Sequence, residues 1–289
     1  MTTPLLDAFK NHTQIDSVDS WFEAWPPAKG LAHWEDGKSA KELAKAWCRN
    51  SGGVRTPSGL NALFQSSALT HGLLISKACG ERAVHFDKLG KARMCDLRME
   101  GTTSNRPLLV HIEAKADEPF GDTIEVSWRK ALAKTANSNT PKRISNLASL
   151  LFDENKITDD LDTIPSDIRS LRYQLLYGIG AALVDAGQSG FQTVLFVVHE
   201  LLPADPTIPF QKRDGSDRYL DTDAINENKL DLNRFVARLS RGQFLSVPQN
   251  TIIECGVFYP PNDLSWDACK GSMPVNLLIG KALDETRQR

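Results

Sequence analysis

Asp96, Glu113 and Lys115 are the residues of this chain whose types and spacing can do chemistry together. They lie in the stretch KARMCDLRMEGTTSNRPLLVHIEAKADEPFG, from Lys91 to Gly121. Two short apolar runs, Met94 to Met99 and Leu108 to Ala116, flank a turn-rich connection from Gly101 to Pro107. That pattern predicts a hairpin. In the second run Val110, Ile112 and Ala114 share one face by the period of two, and His111, Glu113 and Lys115 share the other. In the first, Met94, Asp96 and Arg98 alternate against Cys95, Leu97 and Met99. If the strands pair, one carboxylate from each converges, with an ammonium beside them.

Two carboxylates, Asp96 and Glu113, with the carbonyl of Ala114 suit Mg²⁺, with Mn²⁺ as a substitute. Mg²⁺ takes hard oxygen ligands in an octahedron, keeps several waters and bridges carboxylates to phosphate. It lowers the pKa of a bound water and offsets charge on the phosphate. Lys115 can orient the nucleophilic water or offset developing negative charge. The plainer alternative is a surface salt-bridge ladder on a half-exposed strand.

Asp96 followed by Glu113-Ala114-Lys115 at hairpin spacing resembles the core motif of the PD-(D/E)XK nuclease superfamily, although Cys95 stands where the naming Pro would be. The family carries an acid on one strand and Glu/Asp-x-Lys on the next, and often an Arg or Gln on the helix after the hairpin. Arg172-Tyr173-Gln174 opens such a helix here, so Gln174 joins the catalytic candidates and Arg172 the substrate-binding ones. The resemblance covers roughly 56–200. It implies Mg²⁺-dependent phosphodiester hydrolysis, in DNA ahead of RNA, in restriction, anti-phage defence or repair, with a homodimer where opposing strands are cut. Its sites often gain an acid from a helix before the hairpin; this chain offers none until Glu81. The alternative, from another class, is a non-catalytic binding or scaffold protein that keeps the fold.

The elements that must position these groups are readable in part. The first 50 residues read as a helical preface, with Trp21, Phe22, Trp25 and Trp34 around the helix-breaking Pro26-Pro27. Ser39 with Glu42 reads as a capping box. Thr56 to Ala78 is expected to be a helix, and Glu81 to Gly90 the first strand of a three-stranded meander. Loops at strand ends carry function disproportionately, so Glu118, just past Lys115, is a further metal-ligand candidate. Thr123 to Lys134 reads as a helix whose outer face, with Arg129 and Lys130, joins Lys142 and Arg143 in a basic patch suited to phosphate.

Asp167 to Ala186 reads as one helix capped by Ser166, and Phe191 to Val198 as a strand buried on both faces. Beyond Glu200 a Pro-rich loop, a helix from Leu230 to Leu239, a strand from Thr251 to Tyr259 and a short apolar element from Met273 to Ile279 are expected. The expected fold is α/β, a mixed central sheet flanked by helices. It is read as a single domain over 1–289, a restriction-endonuclease-like core with N- and C-terminal additions.

The totals bound what remains. A chain of 289 residues with 41% hydrophobic and 24% charged content is ordinary for a globular protein. A net charge of −2 lacks the basic footprint of many nucleic-acid binders, which nucleases escape when their basic residues cluster locally. Five scattered cysteines without Cys-x-x-Cys spacing suggest neither disulfides nor zinc. There is no signal-peptide pattern and no apolar run of membrane length. No membrane association and a cytoplasmic location are therefore expected. No P-loop, G-x-G-x-x-G or G-x-S-x-G occurs, which removes simple NTPase, dinucleotide and α/β-hydrolase readings.

Overall fold

The computed structural model describes residues 15–49, 54–104, 106–152, 157–212, 214–260 and 273–286. Residues 1–14 of the preface expected over 1–50, the turn residue Asn105, residues 153–156 of the loop region expected over 135–166 and Cys269 lie outside them. In chain order the helices are α1 (Val18–Ala24), α2 (Ser39–Trp47), α3 (Ser58–Gln65), α4 (Ile124–Lys134), α5 (Thr140–Phe152), α6 (Ser166–Arg169), α7 (Tyr173–Gln188) and α8 (Thr222–Leu239). The strands are β1 (Leu74–Val84), β2 (Arg93–Thr103), β3 (Arg106–Lys115), β4 (Thr193–Pro203), β5 (Phe210–Gln211), β6 (Asp217–Arg218), β7 (Thr251–Phe258) and β8 (Val275–Thr286).

Six strands form one mixed sheet in the order β1-β2-β3-β4-β8-β7, and β5 with β6 makes a small separate hairpin. β1, β2 and β3 are an antiparallel meander, β3-β4-β8 run parallel, and β7 returns antiparallel on the far edge. The fold is thus α/β, a mixed sheet covered by helices on both faces. Leu108, Val110, Ile112 and Ala114 pack with α2 and α3, whereas Leu109, Phe196 and Val198 pack with α4, α5, α7 and α8. The alternation expected along the second hairpin strand is therefore the one observed. It leaves His111, Glu113 and Lys115 buried on the α7 face.

Four expectations about these elements are corrected. The helix expected over 56–78 stops at Gln65, and Leu74-Ile75 opens β1 instead, which pairs with β2 from Leu74 to Val84. A short apolar run carries no period that separates strand from buried helix, and here sheet pairing decides. The strand expected over 81–90 therefore ends at Val84. The helix expected over 167–186 is broken into α6 and α7. Ile124 N–H donates to Leu171 O and Tyr173 N–H to Asp122 O, and Arg172 bridges Thr123 in extended backbone. These bonds to the α4 entrance replace helical ones.

The fourth concerns α2, whose N-cap is Lys38 rather than Ser39. Ser39 N–H is instead capped from outside by Glu118 Oε1 at 3.0 Å. Glu42 does not complete a box; its buried Oε1 accepts from Gly37 N–H at 2.9 Å and from Lys45. The final apolar element is β8, a strand inside the sheet.

Two close approaches lock the layers. α3 meets β8 where a Cβ on Gly59 would fall 1.8 Å from Leu283 O. Asp284 there accepts from Ser58 Oγ, Gly59 N–H, Leu60 N–H and His199, which satisfies the first free N–H groups of α3. On the other face, a Cβ on Gly178 would stand 3.1 Å from Phe196. A glycine there lets α7 lie low on the sheet, one turn beyond Gln174.

Candidate active site

The β2–β3 ladder closes at its last pair, Leu97 with Ile112, and the strands then part. Asp96 and Glu113 are the next residue on each strand, so both carboxylates stand at the mouth of the fork. Parting frees the N–H of Ala114, and Asp96 Oδ2 accepts it at 2.7 Å. Lys115 Nζ lies 3.2 Å from Glu113 Oε1 and 4.9 Å from the centroid of Phe120.

Gln174, in the first turn of α7, bridges the pair. Its Nε2 donates to Glu113 Oε1 at 2.5 Å and its Oε1 accepts from Lys115 Nζ at 3.0 Å. Asp96, Glu113, Lys115 and Gln174 are thus brought together, and of the two candidates at the helix entrance Gln174 is the one in the site. Arg172 is elsewhere. Its guanidinium grips Asp231 and Glu227 on α8 and the carbonyl of Gly121.

The remaining candidates are engaged in structure. Glu118 spends one oxygen on Ser39 N–H and the other on Ala116 N–H at 3.2 Å. The loop it occupies is a junction. Asp117 binds Arg218 and Asp221 N–H, and Asn228 on α8 holds Phe120 N–H and Glu118 O. Its acids hold the N-terminal helices, the small hairpin and α8 against the end of β3. Arg129 is exposed and paired with Glu125, and Lys130 is exposed and paired with Asp122. Arg143 is buried against Asp87, bidentate at 2.6 and 2.7 Å. Arg129, Lys130 and Arg143 of the expected basic patch are therefore each paired with an acid of their own surroundings.

Two residues of the site were not anticipated. Arg93, at the start of β2, donates to Glu113 Oε2 across the fork, and its guanidinium carbon stands 5.7 Å from the Tyr177 ring centroid. Glu81 lies on β1 between the pairs Gly80–Leu97 and Arg82–Cys95, hence opposite Asp96. Its φ of +46° is left-handed backbone inside a strand, a strained conformation for a side-chain-bearing residue. Sequence alternation could have found Glu81 once the meander register was known.

The site carries more acid than its cations offset. Burial, then the Glu113 charge, pushes the Asp96 carboxyl up to about 7, against the pull of Arg93, Lys115 and the Ala114 N–H. Burial, then the charges of Asp96 and Glu113, pushes Glu81 up to about 8 despite Arg93. No group of three His, Cys, Asp or Glu side chains among the described residues is arranged to hold a metal ion as it stands. The donor chemistry still fits one. The oxygens are hard, and a divalent cation would offset the neighbouring carboxylate charge that, after burial, drives Asp96 and Glu81 towards protonation. Asp96, Glu113 and the Ala114 carbonyl are the residues that would hold it.

Cys48, Cys79, Cys95 and Cys255 are free thiols. No helix among the described residues is long and apolar enough to cross a membrane. No curated protein and no solved structure matches the chain. One family profile does, over residues 14–254, and its description is "Domain of unknown function (DUF6946)". That span takes in the hairpin, α7 and the whole candidate site, and the chain belongs to this family.

Proposed function

We propose that this protein is a metal-dependent nuclease that hydrolyses phosphodiester bonds. The observation that carries the reading is the convergence of Asp96, Glu113 and Lys115 at the β2–β3 fork, with Gln174 joined to both Glu113 and Lys115. Mg²⁺ or Mn²⁺, held by Asp96, Glu113 and the Ala114 carbonyl, would supply a water of lowered pKa and a counter-charge for the phosphate.

The chain's own groups do the rest. Lys115 holds the attacking water or offsets the charge that develops on the phosphate oxygens. Gln174 fixes the direction of the Lys115 ammonium and the rotamer of Glu113 through one amide. Phe120, beneath Lys115, and the low-lying α7 restrict water around the ammonium. Glu81 adds a third carboxyl on the β1 side of Asp96.

The resemblance to PD-(D/E)XK enzymes supports DNA over RNA as substrate, a restriction-endonuclease-like core and a homodimer for cutting opposed strands, and the scattered cysteines without disulfide spacing support a cytoplasmic setting. A second reading has its own observation. Both oxygens of Glu113 are already engaged by protein groups, as a non-catalytic scaffold with a vestigial triad would have them. Incubation with supercoiled plasmid, single-stranded DNA and RNA, with Mg²⁺, Mn²⁺ or chelator, separates the two. Metal-dependent cutting supports the nuclease. No cutting, together with no metal binding by calorimetry, supports the scaffold.

A further inference from the structure

Arg93 uses its guanidinium differently from Arg98, Arg143 and Arg172. Arg98 sets Nε and Nη2 on Asp185, and Arg143 sets the same edge on Asp87. Arg172 likewise employs both, on Asp231 and Glu227. Arg93 donates from Nη2 to Glu113 and from Nη1 to the carbonyl of Met94, but its Nε is buried and has no acceptor. A buried donor without a partner is costly. Here it lies on the edge whose two parallel N–H groups match a pair of phosphate or carboxylate oxygens. Half of that edge is idle, and the other half sits on an oxygen of a carboxylate the metal reading needs.

We propose that Arg93 is a placeholder, neutralising Glu113 while no divalent cation is bound and, with the cation bound, turning its Nε/Nη2 edge to two oxygens of the substrate phosphodiester. This rests on the nuclease reading above. The Tyr177 ring keeps the guanidinium at the site during the exchange, through a face contact that does not depend on Glu113. Arg93 is anchored just ahead of the β2–β3 fork, three positions before Asp96.

The test uses the full chain in a Lys115→Ala background, so that substrate is not consumed. Calorimetry gives the Mn²⁺ affinity, and fluorescence anisotropy gives the affinity for a labelled DNA duplex in Mn²⁺, each with Arg93, Arg93→Gln and Arg93→Lys. Removing the resident cation is expected to tighten Mn²⁺ several-fold in Arg93→Gln. Duplex affinity in Mn²⁺ should fall about tenfold in both variants, since neither has the fork of donors. Arg93→Lys keeps the charge, so its Mn²⁺ affinity should stay near that of the parent, and it carries the test if Arg93→Gln does not fold. Unchanged or weaker Mn²⁺ binding in Arg93→Gln overturns the placeholder role, and unchanged duplex affinity overturns the phosphate role. Absence of Mn²⁺ binding in every form, wild type included, overturns the metal reading itself.

Discussion

Gln174 Nε2 lies 2.5 Å from Glu113 Oε1, so the first turn of α7 is tied to the end of β3 at the point where the hairpin strands part. Because the same amide also accepts from Lys115, one side chain sets the geometry of both the acid and the ammonium. Gln174→Ala is expected to lower cleavage about 10–100-fold, the usual cost of losing a supporting contact behind a metal ligand. Lys115→Ala should abolish cleavage while leaving Mn²⁺ affinity no weaker. Single-turnover rates and calorimetry on the same preparations check both, and a Gln174→Ala enzyme of wild-type rate contradicts the bridging role.

Glu118 gives the opposite expectation. Both its oxygens hold backbone N–H groups, one at the entrance of α2. Glu118→Ala should cost about 1 kcal/mol of stability, the scale of a lost helix cap, and leave Mn²⁺ affinity as in the wild type. Asp96→Ala should do the reverse for the metal and remove its binding. A loss of Mn²⁺ affinity in Glu118→Ala would restore it as a ligand.

Asp284 holds the layers together at the α3 entrance, where it accepts from Gly59 N–H at 2.8 Å and Leu60 N–H at 3.1 Å. Asp284→Ala leaves those buried donors and His199 without their acceptor and is expected to cost about 2–4 kcal/mol in urea unfolding. Gly59→Ala drives a methyl into Leu283 O and should cost about 1–3 kcal/mol by overpacking. Midpoints unchanged in both variants would mean that α3 does not depend on this contact.

His111 and Asp185 form a second buried polar cluster on the α7 face, with Nε2 and Oδ2 2.7 Å apart. Burial holds the His111 imidazole below its ordinary value, helped by the Arg98 and Arg93 charges and opposed by the bond to Asp185. Burial alone would raise Asp185, but His111 and then Arg98 outweigh it and hold the carboxyl well below the usual range. A lowered folded value means the unfolded chain binds protons first. Stability is then complete above the unfolded values, about 6.5 for His and 3.9 for Asp, and erodes as pH falls through each. Asp96 and Glu81, whose carboxyls are pushed up, favour the fold as pH falls over the same range, so the His111 contribution shows as a difference: the urea-midpoint gap between wild type and His111→Gln should shrink from pH 7 to pH 5. Equal slopes in wild type and variant would contradict the assignment.

How much of this was legible in the sequence depended on how local the cause was. The hairpin and the shared face of Glu113 and Lys115 follow from period-two alternation, which burial of both sheet faces enforces. Gln174 was readable as a candidate, but its selection over Arg172 was not. The break between α6 and α7 that aims it comes from Ile124 and Tyr173 bonding across to residues 171 and 122. Glu118 looked like a ligand because it follows β3, yet its partner Ser39 is distant in sequence. Arg93 and Glu81 were missed for the same reason. Their place depends on the β1–β2 register and on where the β2–β3 ladder ends, and apolar runs such as Leu73-Leu74-Ile75 do not say whether they are strand or helix.

The most direct measurement of the central claim is nicking of supercoiled plasmid in Mn²⁺ by wild type, Asp96→Ala and Lys115→Ala, each confirmed folded by circular dichroism. The expected result is cutting by wild type that chelator stops and that both variants lack. Cutting retained in either variant, or wild-type cutting that survives chelation, would contradict a metal-dependent nuclease centred on the fork between β2 and β3.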